Sequence, residues 1–131
     1  MSSEDDKLTL DIKGTFDIAI ARNRLRQAAT SQRLPLMLQA RASAALTNAA
    51  ELVLFQSDTK IRQLKLVVYI HSEQDSQGIE FQFFAPVRSD IMKFLPSAEW
   101  QLQQACDEFE MSQHGSFDHV IMRLWARRKN L

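Results

Sequence analysis

The stretch that most limits how this chain can fold runs from Leu36 to Gln56 and reads LMLQARASAALTNAAELVLFQ. It has no glycine, carries only two formal charges and has alanines throughout its middle. Its apolar residues recur at helical spacing and cover most of the cylinder. They are Leu38, Ala42, Ala45, Leu46, Ala49, Ala50, Leu52, Val53, Leu54 and Phe55. We therefore predict a buried central helix whose alanines lie close against a sheet.

Length and charge limit the class of protein. With 131 residues, we expect a single domain over 1–131 with residues 1–7 frayed. The 16 basic and 16 acidic residues balance, with a pI near 6.8, so no overall field favours nucleic acid or an anionic membrane. Cys106 is the only cysteine, and we find no signal-peptide or membrane-spanning pattern. We expect a cytoplasmic protein that binds neither nucleic acid nor membrane.

Alternation of apolar and polar residues with a period of two predicts five strands. Hairpin loops are expected at Glu73–Gly78 and Gln113–Ser116, because both stretches are rich in residues that favour turns. The strands are predicted at 8–12, 64–70, 79–84, 109–112 and 120–125.

Two further helices are predicted, one between the first strand and the central helix and the other between the third and fourth strands. Thr15 is expected to cap the first, which ends near Thr30, and Ser97 to cap the other after a short packed segment at Pro86–Pro96. The apolar face of the helix after Ser97 is expected to carry Trp100, Leu102, Ala105, Cys106 and Phe109. The resulting order predicts an α+β domain, a two-layer sandwich with a mostly antiparallel sheet packed on about three helices.

Few side chains suggest chemistry. We expect no metal site, because no histidine has a second ligand at the usual spacing. The histidines are His71, His114 and His119. Cys106 lies on a predicted apolar face, so we interpret it as a core residue rather than a nucleophile.

Two clusters of charged residues have simple structural interpretations. The carboxylates of Asp107, Glu108 and Glu110 should point in different directions across a helix-to-strand junction, along a solvated edge. Several arginines follow one another in the first helix and just after it, either as a solvated face or as a docking face for an acidic partner. They are Arg22, Arg24, Arg26 and Arg33.

Several stretches, in this order, resemble a known family. They are Phe16–Arg22, the Ala-Leu-Thr-Asn-Ala string at Ala45–Ala49, and Gln104–Met111 followed by Gly115 and Val120–Trp125. The chain resembles the GHKL (histidine-kinase-like) ATPase fold, and within it the small bacterial anti-sigma factors and serine/threonine kinases of partner-switching modules. The resemblance covers nearly the whole chain after the first few residues.

That family carries a glutamate and an asparagine, four residues apart on its second helix, which hold the attacking group and Mg²⁺. Two registers remain open. One keeps Asn48 as the metal ligand and puts Ala44 at the glutamate; the other puts Asn48 at the glutamate and Leu52 at the asparagine. Neither provides a general base, and the second also removes an oxygen ligand for Mg²⁺. We expect Asn48 to be hydrogen-bonded within the fold.

The family's adenine-binding aspartate and its two glycines correspond to Phe84–Ser89, where Ala85 has no acceptor for the adenine amino group. Its glycine-rich lid corresponds to Met92–Trp100, whose bulky side chains would fill the pocket. The resemblance therefore implies lost ATP and Mg²⁺ binding and no catalytic residue. The vestigial site positions are Ala44, Asn48, Leu52 and Ala85.

This resemblance implies a non-catalytic regulatory protein-interaction module, a pseudo-kinase similar to an anti-sigma factor. The expected partner is a STAS-type antagonist, a sigma factor, a phosphatase or a like subunit in a homodimer. The alternative is an ATP-dependent serine/threonine kinase or anti-sigma factor with an atypical site. There Asn48 would bind Mg²⁺ while Lys93 or Arg88 reaches the phosphates.

Overall fold

The computed structural model describes residues 7–55, 64–73, 75–86, 100–115 and 117–127. The elements are β1 (Lys7–Ile12), α1 (Thr15–Ser31), α2 (Leu36–Phe55), β2 (Leu64–Glu73), β3 (Ser76–Pro86), a helical segment α3 (100–104), β4 (Glu108–His114) and β5 (Phe117–Arg127). This is the predicted order. The predicted helix end at Gln56, the segment after Pro86 and the cap at Ser97 lie outside the described residues. Lys7, expected to be frayed, is the first residue of β1.

The five strands form one sheet in the order β1-β2-β3-β5-β4, and every neighbouring pair is antiparallel. The period-two pattern separates the two faces: in β1, Leu10 and Ile12 are buried while Thr9 and Asp11 are exposed. The buried strand residues share one core cluster with α1 and α2. The α+β, two-layer architecture predicted from the sequence is confirmed.

The central helix α2 is buried along one side only. Ala42 and Ala45 are fully buried and Ala49 nearly so, which lets the helix backbone approach the sheet as predicted. The opposite side is exposed, so the expectation that apolar contacts surround most of the cylinder was wrong. Met37 is 76% exposed, and Ala44 is also exposed. The sheet lies on one side of α2, so only one helical stripe is covered.

The N-cap of the first helix lies one residue earlier than predicted. Gly14 occupies the N-cap position, and its carbonyl accepts a hydrogen bond from Ile18 N at 3.2 Å. Thr15 is therefore already helical and does not cap the helix. The Asp17 carboxylate, in the first turn, accepts from Lys13 N at 2.8 Å. This satisfies a backbone donor and places a negative charge at the positive end of the helix dipole.

The third helix ends earlier than predicted. Its chain tightens after residue 104, where Ala105 N donates to the Leu102 carbonyl at 3.1 Å, an i to i−3 bond typical of a helix end. Phe109 therefore lies on β4 instead of on the helix. Trp100, expected on the apolar face, is 64% exposed, whereas Leu102 is buried as predicted.

The strands of the first hairpin extend into the loop that was predicted between them. β2 and β3 stay paired as far as Glu73 and Ser76, so most of the expected loop at Glu73–Gly78 is strand. Gly78 lies beneath the Trp125 ring, and a Cβ at this point would also come within 2.7 Å of a β5 carbonyl oxygen. Gly78 thus permits close packing within the sheet instead of forming a turn.

The second hairpin turns within its predicted loop. β4 ends at His114 and β5 begins at Phe117, so the turn is shorter than the predicted Gln113–Ser116. Gly115 has a φ of +57°, in the left-handed region that glycine adopts without strain.

Candidate functional site

A cleft lies between the exposed side of α2 and the described part of α3. Its described walls are Asn48, Glu51 and Leu52 from α2, with Gln101 and Leu102 from α3, and it encloses about 250 Å³. Ligand pockets usually enclose about 300–1,000 Å³. The volume that the described residues enclose is therefore below that of a typical ligand site.

The structure brings two of the four vestigial positions into this cleft. Asn48 and Leu52 line it, whereas Ala44 lies one turn earlier on the exposed side of α2. Ala85 is only 2% exposed, on the helix-facing side of β3, and is not among the described residues of the cleft. Asn48, which was expected to be hydrogen-bonded within the fold, is exposed to solvent at the cleft.

The cleft contains a carboxylate that sequence reasoning missed. Glu51 lies three residues after Asn48, which places both side chains on the same side of α2. In the family that the chain resembles, the glutamate and asparagine are four residues apart, and no acid lies four residues before or after Asn48. The i, i+3 neighbours of Asn48 would have revealed Glu51.

A second missed carboxylate, Asp118, is buried in the sheet. It lies on β5 directly opposite Ala85 and is only 1% exposed. Neither carboxylate oxygen has a hydrogen-bond partner among the described residues. Burial away from water raises the pKa of Asp118 above its usual range. The sequence pattern that could have revealed this burial is the alternation of Val120 and Met122, which places Asp118 on the same buried side two residues earlier.

Two of the three carboxylates predicted to point apart along a solvated edge, Glu108 and Glu110, instead approach one arginine. Arg123 on β5 lies between β3 and β4, with Nε 2.6 Å from Glu80 Oε1 and Nη1 2.6 Å from Glu110 Oε2. Glu108 approaches the same guanidinium at 3.7 Å. Burial opposes the charge of Arg123, but the two short hydrogen bonds raise its pKa overall. The prediction for Glu108 and Glu110 was wrong, because both lie on β4, where residues two apart share a face, and Arg123 lies directly opposite Glu108.

Asp107 joins α2 to the end of β5. Its carboxylate lies 3.1 Å from Arg41 Nη2 and accepts a hydrogen bond from Trp125 N at 2.7 Å. Both side chains of the ion pair are more than 40% exposed, so we expect its contribution to stability to be small. Asp107 therefore orients the chain between α3 and β4 and is engaged in structural contacts.

The histidines lie on the face of the sheet that no described helix covers, and two of them are close together. The His119 ring stacks on Phe84 at a centroid distance of 4.4 Å and lies 5.4 Å from the His114 ring. Burial and then the proximity of His114 lower the pKa of His119, and Glu110 and Glu80 oppose this shift. Among the described residues, no three His, Cys, Asp or Glu side chains are grouped so as to hold a metal ion.

Cys106 lies just beyond the helix on which it was predicted. It is half-buried against the core, and its thiol donates to the Leu102 carbonyl at 3.2 Å. Burial, and then the negative charge of Asp107, raise the pKa of Cys106 to about 11. The thiol therefore stays protonated near neutral pH and is a poor nucleophile.

The solvent side of α1 carries an exposed apolar pair. Phe16 is 77% exposed and Ile20, one turn later, 39%. With exposed Asn23 and Gln27 they form what we call the α1 outer stripe. Arginines lie on both flanks, and among the described residues none of them forms an ion pair, unlike Arg41 and Arg123. These flanking residues are Arg22, Arg24 and Arg26.

Comparison with protein-family models and with curated proteins gives no match for this sequence. Within the described residues, no helix is long and apolar enough to cross a membrane.

Proposed function

We propose that this protein is a non-catalytic regulatory protein-interaction module, a pseudo-kinase that resembles a bacterial anti-sigma factor and has lost ATP binding. The α1 outer stripe is the observation that carries this proposal. It contains exposed Phe16 and Ile20, and the arginines on its flanks have no ion-pair partner in the part of the chain that the structure describes.

The stripe has the composition of a protein-binding surface. Burying a phenylalanine or isoleucine side chain stabilises a complex by about 1.5–3 kcal/mol. A partner that covers Phe16 and Ile20 would gain this energy for each side chain. Arginine guanidinium groups bind carboxylates with two parallel hydrogen bonds. The expected partner therefore presents an apolar side chain surrounded by aspartate or glutamate.

Two of the vestigial positions, Ala44 and Ala85, support the proposed loss of nucleotide chemistry. Ala85 presents a buried methyl group where a hydrogen-bond acceptor is needed, and Ala44 presents an exposed one where a general base is needed. A methyl group neither accepts a hydrogen bond nor takes up a proton.

The resemblance suggests where such a module acts. We propose a cytoplasmic location and, as partner, a STAS-type antagonist, a sigma factor or a phosphatase. A partner from these classes with an acidic docking surface would fit the arginines of α1.

The test uses two substitutions of equally exposed apolar residues. Phe16→Asp alters the α1 outer stripe, and Met37→Asp, at a site that is 76% exposed on α2, is the matched control. Binding of purified STAS-domain, sigma-factor and phosphatase candidates is measured by calorimetry. We expect one candidate to bind wild type and Met37→Asp equally, and Phe16→Asp much more weakly. Equal loss in both variants, or no binding by any candidate, would contradict the proposal.

The alternative function, an ATP-dependent serine/threonine kinase or anti-sigma factor with an atypical site, is favoured by two specific placements. Asp118 brings a buried carboxylate directly opposite Ala85, and Glu51 brings another beside Asn48. A relocated acid could accept a hydrogen bond from an amino group. Arg88 and Lys93, suggested as phosphate contacts, lie outside the described residues.

Thermal melting with millimolar Mg-ATP separates the two functions. A ligand at a hundred times its dissociation constant adds about 2.7 kcal/mol, a shift of several degrees for a domain of this size. We expect no shift. A clear shift that disappears in both Asn48→Ala and Asp118→Asn would replace the pseudo-kinase by the atypical nucleotide site.

A further inference from the structure

β4 is an edge strand whose outer side has no strand partner within the described ranges. Its seven residues, EFEMSQH, include neither proline nor lysine, which often prevent an edge from pairing with another chain, and its two charged side chains, Glu108 and Glu110, are paired with Arg123 of the same chain. The opposite edge, β1, begins with Lys7, and its Leu10 is 7% exposed beneath the helical layer. β4 is therefore the less protected edge.

The sequence of β4 is complementary to itself in the antiparallel direction. A two-fold axis through Met111, the middle residue of the strand, places Met111 opposite its own copy. On the uncovered face of the sheet, Glu108 then lies opposite His114 of the second copy, and Glu110 opposite Ser112 of the second copy. Opposite pairs of an acid with a histidine or hydroxyl stabilise neighbouring strands.

Other registers are less favourable. An axis through Glu110 sets two glutamates directly opposite each other, and like charges in that position are destabilising. An axis through Ser112 leaves Glu108 without an opposite residue. Of these three, only the axis through Met111 pairs all seven residues and sets each glutamate opposite a histidine or a serine.

The helix-facing side of β4 also favours pairing. Phe109 and Met111 pack against the core yet remain partly exposed at this edge. A second β4 would cover this remaining apolar surface, with Gln113 of the second copy opposite Phe109. Removing apolar surface from water adds to the energy of the backbone hydrogen bonds.

We propose that the chain forms a symmetric homodimer in which β4 pairs antiparallel with β4 of a second copy, with Met111 at the two-fold axis. The two sheets become one continuous sheet. This inference does not depend on the proposed function, because the α1 outer stripe stays free in each copy.

Disulfide trapping tests the register in the full chain carrying Cys106→Ser. In a dimer, directly opposed Cα atoms lie about 4.5–5.5 Å apart, within the range a disulfide spans, so Met111→Cys should cross-link on mild oxidation. Gln113→Cys is the matched control on the same strand, because its two copies would be offset by about 13 Å along the strand. Thr9→Cys, at the corresponding position of β1, tests the other edge.

We expect rapid cross-linking of Met111→Cys alone. Cross-linking of Thr9→Cys instead would place the dimer at β1. Equal rates for Met111→Cys and Gln113→Cys would contradict the β4 register.

Light scattering during size-exclusion chromatography gives an independent measure. Ser112→Glu and Ser112→Lys both remove the hydroxyl that lies 2.8 Å from His114 Nε2, so the loss of this contact is common to both variants. Only the glutamate faces Glu110 of the second copy with like charge. We expect Ser112→Glu to raise the dimer dissociation constant about tenfold or more relative to Ser112→Lys. A wild-type protein that stays monomeric at high micromolar concentration would overturn the proposal. Phe16→Asp is expected to remain a dimer, because Phe16 lies on the α1 outer stripe and not on β4, so this test is separate from that of the stripe.

Discussion

Ala85 and Asp118 lie directly opposite each other on β3 and β5, on the side of the sheet that faces the helices. The first carries a methyl group where the family resemblance leads one to expect a carboxylate. The second carries a buried carboxylate without a hydrogen-bond partner among the described residues. The acid absent from one strand is thus present on its neighbour, about 5 Å away. This pair is the structural point at which the two proposed functions differ most.

Asp118→Asn is expected to stabilise the protein by about 1 kcal/mol at pH 7, because it removes a buried charge that no described group compensates. Urea unfolding of the wild type and the variant measures the difference. A loss of stability of similar size would instead show that the carboxylate has a partner.

The same variant should reveal a pH dependence. Because burial raises the pKa of Asp118 in the folded state, the folded protein holds this proton more tightly than the unfolded chain does. The wild type therefore loses stability as pH rises from about 4, the unfolded value, through the folded pKa. The advantage of Asp118→Asn should be small below pH 4 and grow above it. A difference independent of pH would contradict a raised pKa.

Gly78→Ala is expected to destabilise the fold by about 1–3 kcal/mol, because its Cβ would meet both the Trp125 ring and a backbone oxygen. Gly14→Ala is the matched control, since a Cβ there meets nothing within 4 Å. The two melting temperatures should differ by several degrees. Equal melting temperatures would show that Trp125 moves aside without cost.

Two adjacent alanines of α2 test the one-sided burial of this helix. Ala45 is fully buried, so Ala45→Leu should overpack the core and cost about 1–3 kcal/mol. Ala44 is exposed, so Ala44→Leu should change stability by less than about 0.5 kcal/mol. Denaturant midpoints provide the measurement. A large loss in Ala44→Leu would mean that the exposed side of α2 is covered.

Cys106 should react slowly with thiol reagents in the folded protein. With its pKa raised to about 11, its thiolate fraction at pH 8 is far below that of a free cysteine. We expect alkylation by iodoacetamide to be roughly a hundredfold slower than in the urea-unfolded chain. Similar rates in the two states would contradict the raised pKa.

The order of elements and the two-layer class could be read from the sequence because they depend on local periodicity. Leu10 and Ile12 alternate with polar neighbours, and Ala42 and Ala45 recur at helical spacing, so each element shows which side it buries. The candidate site was predictable only in part. Asn48 and Leu52 do line a cleft, but Trp100, expected on an apolar face, is exposed to solvent.

The sequence by itself determined the order of the helices and strands and which side of each strand is buried. Only the tertiary structure decided which side chains meet across elements. Arg123 binds Glu80, 43 residues away in the chain, and Trp125 covers Gly78. The physical reason is that these contacts depend on strand order and register, whereas a repeating pattern along one strand specifies a face but not the residue opposite.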